Sequence, residues 1–117
     1  MNGIAAYRNY RARSASNEVA VGLLYREALR RVDLATSPEG RVAHLHHARS
    51  ILLELRDALD PKGSVELVTR LRSLYDFCLV ELGRAHRSPE RLDYVRKVLL
   101  PLADGWDDML AHRGVTS

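Results

Sequence analysis

The chain has one cysteine, Cys78, in 117 residues. A single thiol excludes an internal disulfide framework and fits a reducing compartment. No apolar run approaches the ~18 residues that a transmembrane helix needs. The opening Met1–Ala6 is too short and too weakly apolar for a secretory leader. There is no glycine-rich phosphate loop and no serine elbow motif. None of the seven glutamates is followed three residues later by histidine, which excludes the Glu-x-x-His pairs of a di-iron bundle. Alternating apolar and polar residues, the mark of a half-buried strand, are absent at useful length.

What is present is moderate. Hydrophobic residues make up 46% and charged residues 28%, which places the chain in the globular class. At this length one domain with one core is expected.

The net charge of +3 is unevenly placed. Residues 1–31 hold six arginines against Glu18 and Glu27, a balance of 6 − 2 = +4, and the remainder holds twelve bases against thirteen acids, a balance of −1. Arg8, Arg11 and Arg13 interleave with Tyr7 and Tyr10, a pattern that can stack on bases and pair with phosphates. Acids on every later segment weigh against a nucleic-acid partner. An organellar transit peptide is set aside because helix-forming sequence follows too soon. His44, His46 and His47 form the only histidine cluster, and no Asp, Glu or Cys joins them in a metal-ligand pattern. A solvated helix face is the expectation there. Cys78 falls on an apolar seam, where a thiol is normally inert. Neither metal, cofactor nor catalysis is expected.

Punctuation divides the chain into a tail and four segments. Ser37-Pro38-Glu39 and Ser88-Pro89-Glu90 carry the same helix-start signal: capping serine, proline at the first helical position, acid near the positive helix end. Asp60-Pro61-Lys62-Gly63 reads as a turn with Ser64 as the next cap. Near the front, Ser14 or Ser16 is placed to cap a helix with Glu18 in its first turn.

Each segment has helical periodicity. Val21, Leu24, Tyr25, Ala28, Val32 and Ala35 form one stripe. Leu45, Ala48, Leu52, Leu55 and Leu59 form the second. Val68, Leu71, Tyr75, Cys78, Leu82 and Ala85 form the third. Leu92, Val95, Leu99, Leu102, Trp106 and Met109 form the fourth. The pattern predicts an all-α, antiparallel up-down four-helix bundle over residues 14–113. Helices are expected at about 16–36, 38–59, 64–86 and 89–111, preceded by a mobile or docked N-terminal segment, 1–13, and followed by a tail, 114–117. Pro101 predicts a kink near 97–101, or a helix that ends near Leu100 and restarts.

Some apolar residues exceed what the core requires. Val19, Leu23 and Leu34 lie opposite the main stripe of the first helix. Ile51 and Ala58 flank the second stripe, and Phe77 and Val80 sit outside the third. Broad stripes explain such residues; a groove for an amphipathic partner is the sharper alternative.

Four stretches resemble one family. They are Ala6-Tyr7; Ala15-Ser16-Asn17-Glu18 followed by Leu23-Leu24-Tyr25; Ala48 to Asp60 (ARSILLELRDALD); and Leu71-Arg72-Ser73-Leu74-Tyr75-Asp76-Phe77, with Trp106 beyond them. In order and spacing they resemble the flagellar secretion chaperone FliS family from about Ala6 to Trp106. Departures from the family pattern are Asn17, Gly22, Arg26-Glu27, Ser64-Val65, Arg70 and Pro101. The resemblance implies a cytoplasmic, non-enzymatic four-helix export chaperone. It would bind the C-terminal region of flagellin, prevent premature polymerisation, and assist delivery to the type III export apparatus. It further implies apolar groove walls and a detachable N-terminal cover. On that reading Tyr7, Tyr10, Val19, Leu23, Leu34, Ile51, Ala58 and Phe77 are the candidate partner-binding residues. Flagellin's C-terminal segment is the expected partner, with the export gate second, and with no nucleic acid and no membrane insertion. A monomer or weak dimer is expected; the alternatives are a helical adaptor binding another secreted or regulatory protein and, after it, a nucleic-acid-binding bundle. Gly22 predicts a hole or a close helix–helix contact.

Overall fold

The computed structural model describes residues 17–59 and 64–112. Among them are four α-helices and no strand: α1, Asn17–Leu34; α2, Arg41–Asp57; α3, Val65–Ala85; and α4, Leu92–His112. A 3₁₀ turn, Pro89–Arg91, leads into α4. Helix α1 packs against α2 and α4, and α3 packs against the same two, so α1 and α3 stand on one diagonal of a square bundle. The fold is the four-helix bundle that the periodicity predicts.

The four stripes supply the core. Leu24, Tyr25, Ala28, Val32 and Ala35 are buried, as are Leu45, Ala48, Leu52, Leu55, Tyr75, Cys78, Leu82, Ala85, Leu92, Val95 and Leu99. Val21, Leu59, Leu71, Leu102 and Trp106 pack partly buried against them. Across the diagonal, the Tyr25 and Tyr75 hydroxyls share a buried 2.5 Å hydrogen bond. That bond gives the two phenols a polar partner in an otherwise apolar centre.

The two Ser-Pro-Glu signals part company. Ser88-Pro89-Glu90 does start a helical turn, with Pro89 in its first turn, although the Ser88 side chain makes no capping bond. Ser37-Pro38-Glu39 does not start α2. There the chain turns, with the Arg41 N–H donating to the Pro38 carbonyl at 3.4 Å, and α2 begins at Arg41 behind Gly40. Gly40 adopts φ 66°, a conformation that costs little without a Cβ. The Arg41 guanidinium then donates to the Ala35 and Thr36 carbonyls, satisfying groups left open at the end of α1. Ser64 caps α3 as expected, accepting from the Leu67 N–H at 3.3 Å. The Ser14 or Ser16 cap and the Asp60–Gly63 turn lie outside the described residues.

Helix α4 continues through Pro101, which corrects the alternative of a helix ending near Leu100. The missing N–H leaves the Lys97 carbonyl without its helical donor. Both Lys97 and Pro101 are exposed, so water can reach the freed carbonyl.

Candidate partner-binding surface

The seam between α1 and α4 is closed by polar groups. Trp106 Nε1 donates to the Glu18 carbonyl at 2.5 Å. Arg26 pairs with Asp107 and Arg96 with Asp33, each joining α1 to α4. Gly22 accounts for the indole's position: a Cβ built there would lie 3.2 Å from Trp106 Cδ1. Of the two outcomes Gly22 predicts, the structure has the close contact.

These pairs identify the flanks of each helix. Arg96 and Asp107 face α1, so α3, the other neighbour of α4 in the square, lies across the buried face from them. At 100° per residue the side of α4 toward α3 carries Val98, Leu102 and Met109, with Tyr94, Pro101 and Gly105 turned further toward solvent. On α3, Asp76 pairs with Arg56 of α2 at 3.1 Å, while Glu81 reaches Arg91 beside α4 at 3.6 Å. The α4-facing flank of α3 is therefore the row in register with Glu81: Leu67, Arg70, Leu74 and Phe77, spaced three and four residues apart.

Much of this row is exposed. Leu67 is 56%, Phe77 43% and Tyr94 46% accessible, while Val98 and Met109 are half-buried between them. A Cβ added at Gly105 would meet nothing within 4 Å. Leu67, Leu74 and Phe77 thus form an exposed apolar row on the α4-facing flank of α3, with Val98 and Met109 half-buried on the side of α4 toward it. A helix with apolar residues at i, i+3/4 and i+7 can lie along such a row, in the groove between α3 and α4.

One end of the groove is closed by Glu81, which is 3% exposed. Its Oε1 accepts from Arg84 at 3.2 Å, and its Oε2 lies opposite the Arg91 guanidinium. A desolvated carboxylate requires such partners. Beside it, burial and the Glu81 charge push the Cys78 thiol up to about 12, so the thiolate needed for chemistry is not formed near neutral pH.

The residues expected from sequence fall in different places. Phe77 lines the groove. Leu23 and Leu34 are exposed, 48% and 40%, but point straight outward from α1 on the diagonally opposite edge. They stand about 16 Å apart along the axis, with the Arg30–Glu27 ion pair between their levels. Ile51 is corrected: it is 0% exposed and belongs to the core, because the α1-facing flank of α2 is covered by α1. Ala58 packs partly buried against the core, and Val19 is half-buried. Tyr7 and Tyr10 lie outside the described residues. The walls expected on helices 1 and 2 do not form one surface among the described residues, whereas α3 carries an exposed apolar row. Leu67, Leu74 and Tyr94 escaped the sequence reading. The signal was a second apolar row on α3, offset from the main stripe and ending in Phe77.

The α1–α2 seam carries the histidines. His44 Nδ1 lies 3.1 Å from Arg31 Nη1. His47 Nε2 is buried and finds no hydrogen-bond partner among the described residues. Burial, with the nearby Arg31 charge, holds His47 below its ordinary pKa. His46 stacks edge-on to His86 at 6.5 Å between centroids.

Residues 1–113 match the model of the family described as Flagellar protein FliS. No curated protein matches the chain.

Proposed function

The chain belongs to the FliS family, whose members are flagellar export chaperones for flagellin, and from that premise we propose that its α3–α4 groove receives a helix from the C-terminal region of flagellin. The observation that carries this reading is the exposed row Leu67, Leu74 and Phe77 on the α4-facing flank of α3. An exposed apolar row on a folded bundle marks a surface that a partner covers.

On this reading the client segment is unfolded when free and helical when bound. Ordering costs about 2–5 kcal/mol or more of the gross interaction energy. A long segment is therefore held at limited net affinity, which suits cargo that must be released. Covering the client's apolar face keeps it from assembling with other flagellin molecules, and release follows at the export apparatus. No helix among the described residues is long and apolar enough to cross a membrane, and the proposed place of work is the cytoplasm.

Titration calorimetry of the purified chain with the C-terminal segment of its own flagellin tests the reading. Saturable binding at micromolar concentrations, with suppressed flagellin polymerisation by light scattering, is the expected result. Absence of heat together with unchanged polymerisation contradicts it.

A further inference from the structure

Two contacts hold α2 and α3 in register along their outer seam. His46 meets His86 with ring centroids 6.5 Å apart, and Arg56 pairs with Asp76 at 3.1 Å. The contacts are ten residues apart on both helices, so the pair runs antiparallel without slip over about 15 Å. Between them this register sets Arg49 opposite Gly83, and Leu53 opposite Leu79. A Cβ added at Gly83 would meet nothing within 4 Å, so the space over that backbone is open.

Arg49 is exposed and has no ion pair or hydrogen bond among the described residues. It differs in this from Arg26, Arg31, Arg56 and Arg96, each of which is held by an acid. No acid of α2 or α3 faces it. Glu54 lies roughly 100° or more around α2 from Leu53 and Arg49, and Glu81 is buried on the α4 side of α3, where Arg84 and Arg91 engage it. Asp76 is taken by Arg56. An unopposed guanidinium, two exposed imidazoles and an open stretch of backbone together suit an oxyanion. Guanidinium grips a carboxylate through two parallel N–H groups, and each imidazole can donate one more. Leu53 and Leu79, half-buried one turn along, add an apolar step. A protein segment can use that step, whereas a phosphate backbone cannot.

We propose that the α2–α3 seam docks an acidic segment of a second protein. An aspartate or glutamate carboxylate sits over Gly83, held by Arg49 between His46 and His86, and an apolar residue one turn away rests on Leu53 and Leu79. The seam lies around α3 from the Leu67, Leu74 and Phe77 row, so it stays accessible when that row is covered. The proposal stands apart from the flagellin reading and is tested without flagellin.

Nuclear magnetic resonance of the isotope-labelled chain tests it with a twelve-residue peptide carrying two glutamates in one helical turn and two leucines in the next. The control peptide has glutamines in place of the glutamates. The glutamate peptide should shift the Gly83 amide saturably at submillimolar concentration, and the glutamine peptide should not. Arg49→Gln should weaken binding about fivefold. Gly83→Leu, which fills the open space, should abolish it, and both positions are exposed, so thermal midpoints should hold. Arg72→Gln removes another exposed arginine without a partner among the described residues, about 16 Å along α3, and should leave affinity within about twofold. Equal weakening by Arg49→Gln and Arg72→Gln means diffuse charge attraction and overturns the site. A twelve-nucleotide thymidine oligomer that shifts Gly83 as strongly as the peptide assigns the seam to nucleic acid and overturns it too. No shift at Gly83 with the glutamate peptide also overturns it.

Discussion

At the scale of single residues, Gly22 has the most specific consequence. It leaves room for the Trp106 indole, which spends its N–H on the Glu18 carbonyl. Alanine at 22 gains helix propensity while its Cβ presses on the ring, and these effects nearly offset. Leucine has no such room. Gly22→Leu is expected to cost about 1–3 kcal/mol through overpacking, lowering the thermal midpoint by roughly 5–15 °C, with a shifted Trp106 emission as a second readout. His47 gives a pH dependence whose sign is determined. Its folded pKa is depressed, first by burial and then by Arg31. The neutral ring therefore contributes stability that is present above the ordinary histidine value of about 6.5 and is lost as pH falls from there through the depressed folded value. Denaturant midpoints at pH 7.5 and 5.5 should differ less for His47→Gln than for the parent chain. Equal differences in the two would remove His47 from this account.

At the scale of elements, the two Ser-Pro-Glu tripeptides show what local sequence can and cannot specify. After the second, Arg91 continues into the helix; after the first, Gly40 takes a positive φ and postpones α2 to Arg41. The tripeptide marks a place where a helix can begin, and the following residue decides whether it does. Pro101 shows a different limit. Its ring disfavours a regular helix, yet packing of Leu99, Ala103 and Leu110 on either side holds α4 together. Because Pro101 is exposed, replacing it loses little packing and restores one backbone hydrogen bond. Pro101→Ala should stabilise the bundle by about 1–3 kcal/mol, measured by chemical denaturation. A loss of stability would mean that the proline's geometry is required for α4 to pack.

At the scale of the whole molecule, the bundle was legible because all four core stripes repeat every three and four residues. The Tyr25–Tyr75 bond across the diagonal was not, since it depends on which helices face each other. The partner surface was half legible. Phe77 stood out as an apolar residue off its stripe, but periodicity alone cannot say which flank a neighbouring helix covers. Ile51 and Phe77 look alike in sequence; packing by α1 buries the first, while the second stands exposed on the α4-facing flank of α3. Leu23 and Leu34 are exposed too, yet the ion pair between them and the opposite edge they occupy separate them from the groove.

The α3–α4 groove as the client site is therefore the central claim, and Phe77 is where it can be tested with least risk to the fold. Calorimetric titration of the flagellin C-terminal segment should be run on the parent chain, on Phe77→Asp and on Leu34→Asp. Both substitutions fall at exposed positions, so thermal midpoints should stay close to the parent's. The account predicts that Phe77→Asp loses at least tenfold in affinity while Leu34→Asp stays within about twofold, as a buried carboxylate costs far more than a solvated one. Unchanged affinity for Phe77→Asp, or the loss appearing at Leu34→Asp instead, would contradict it.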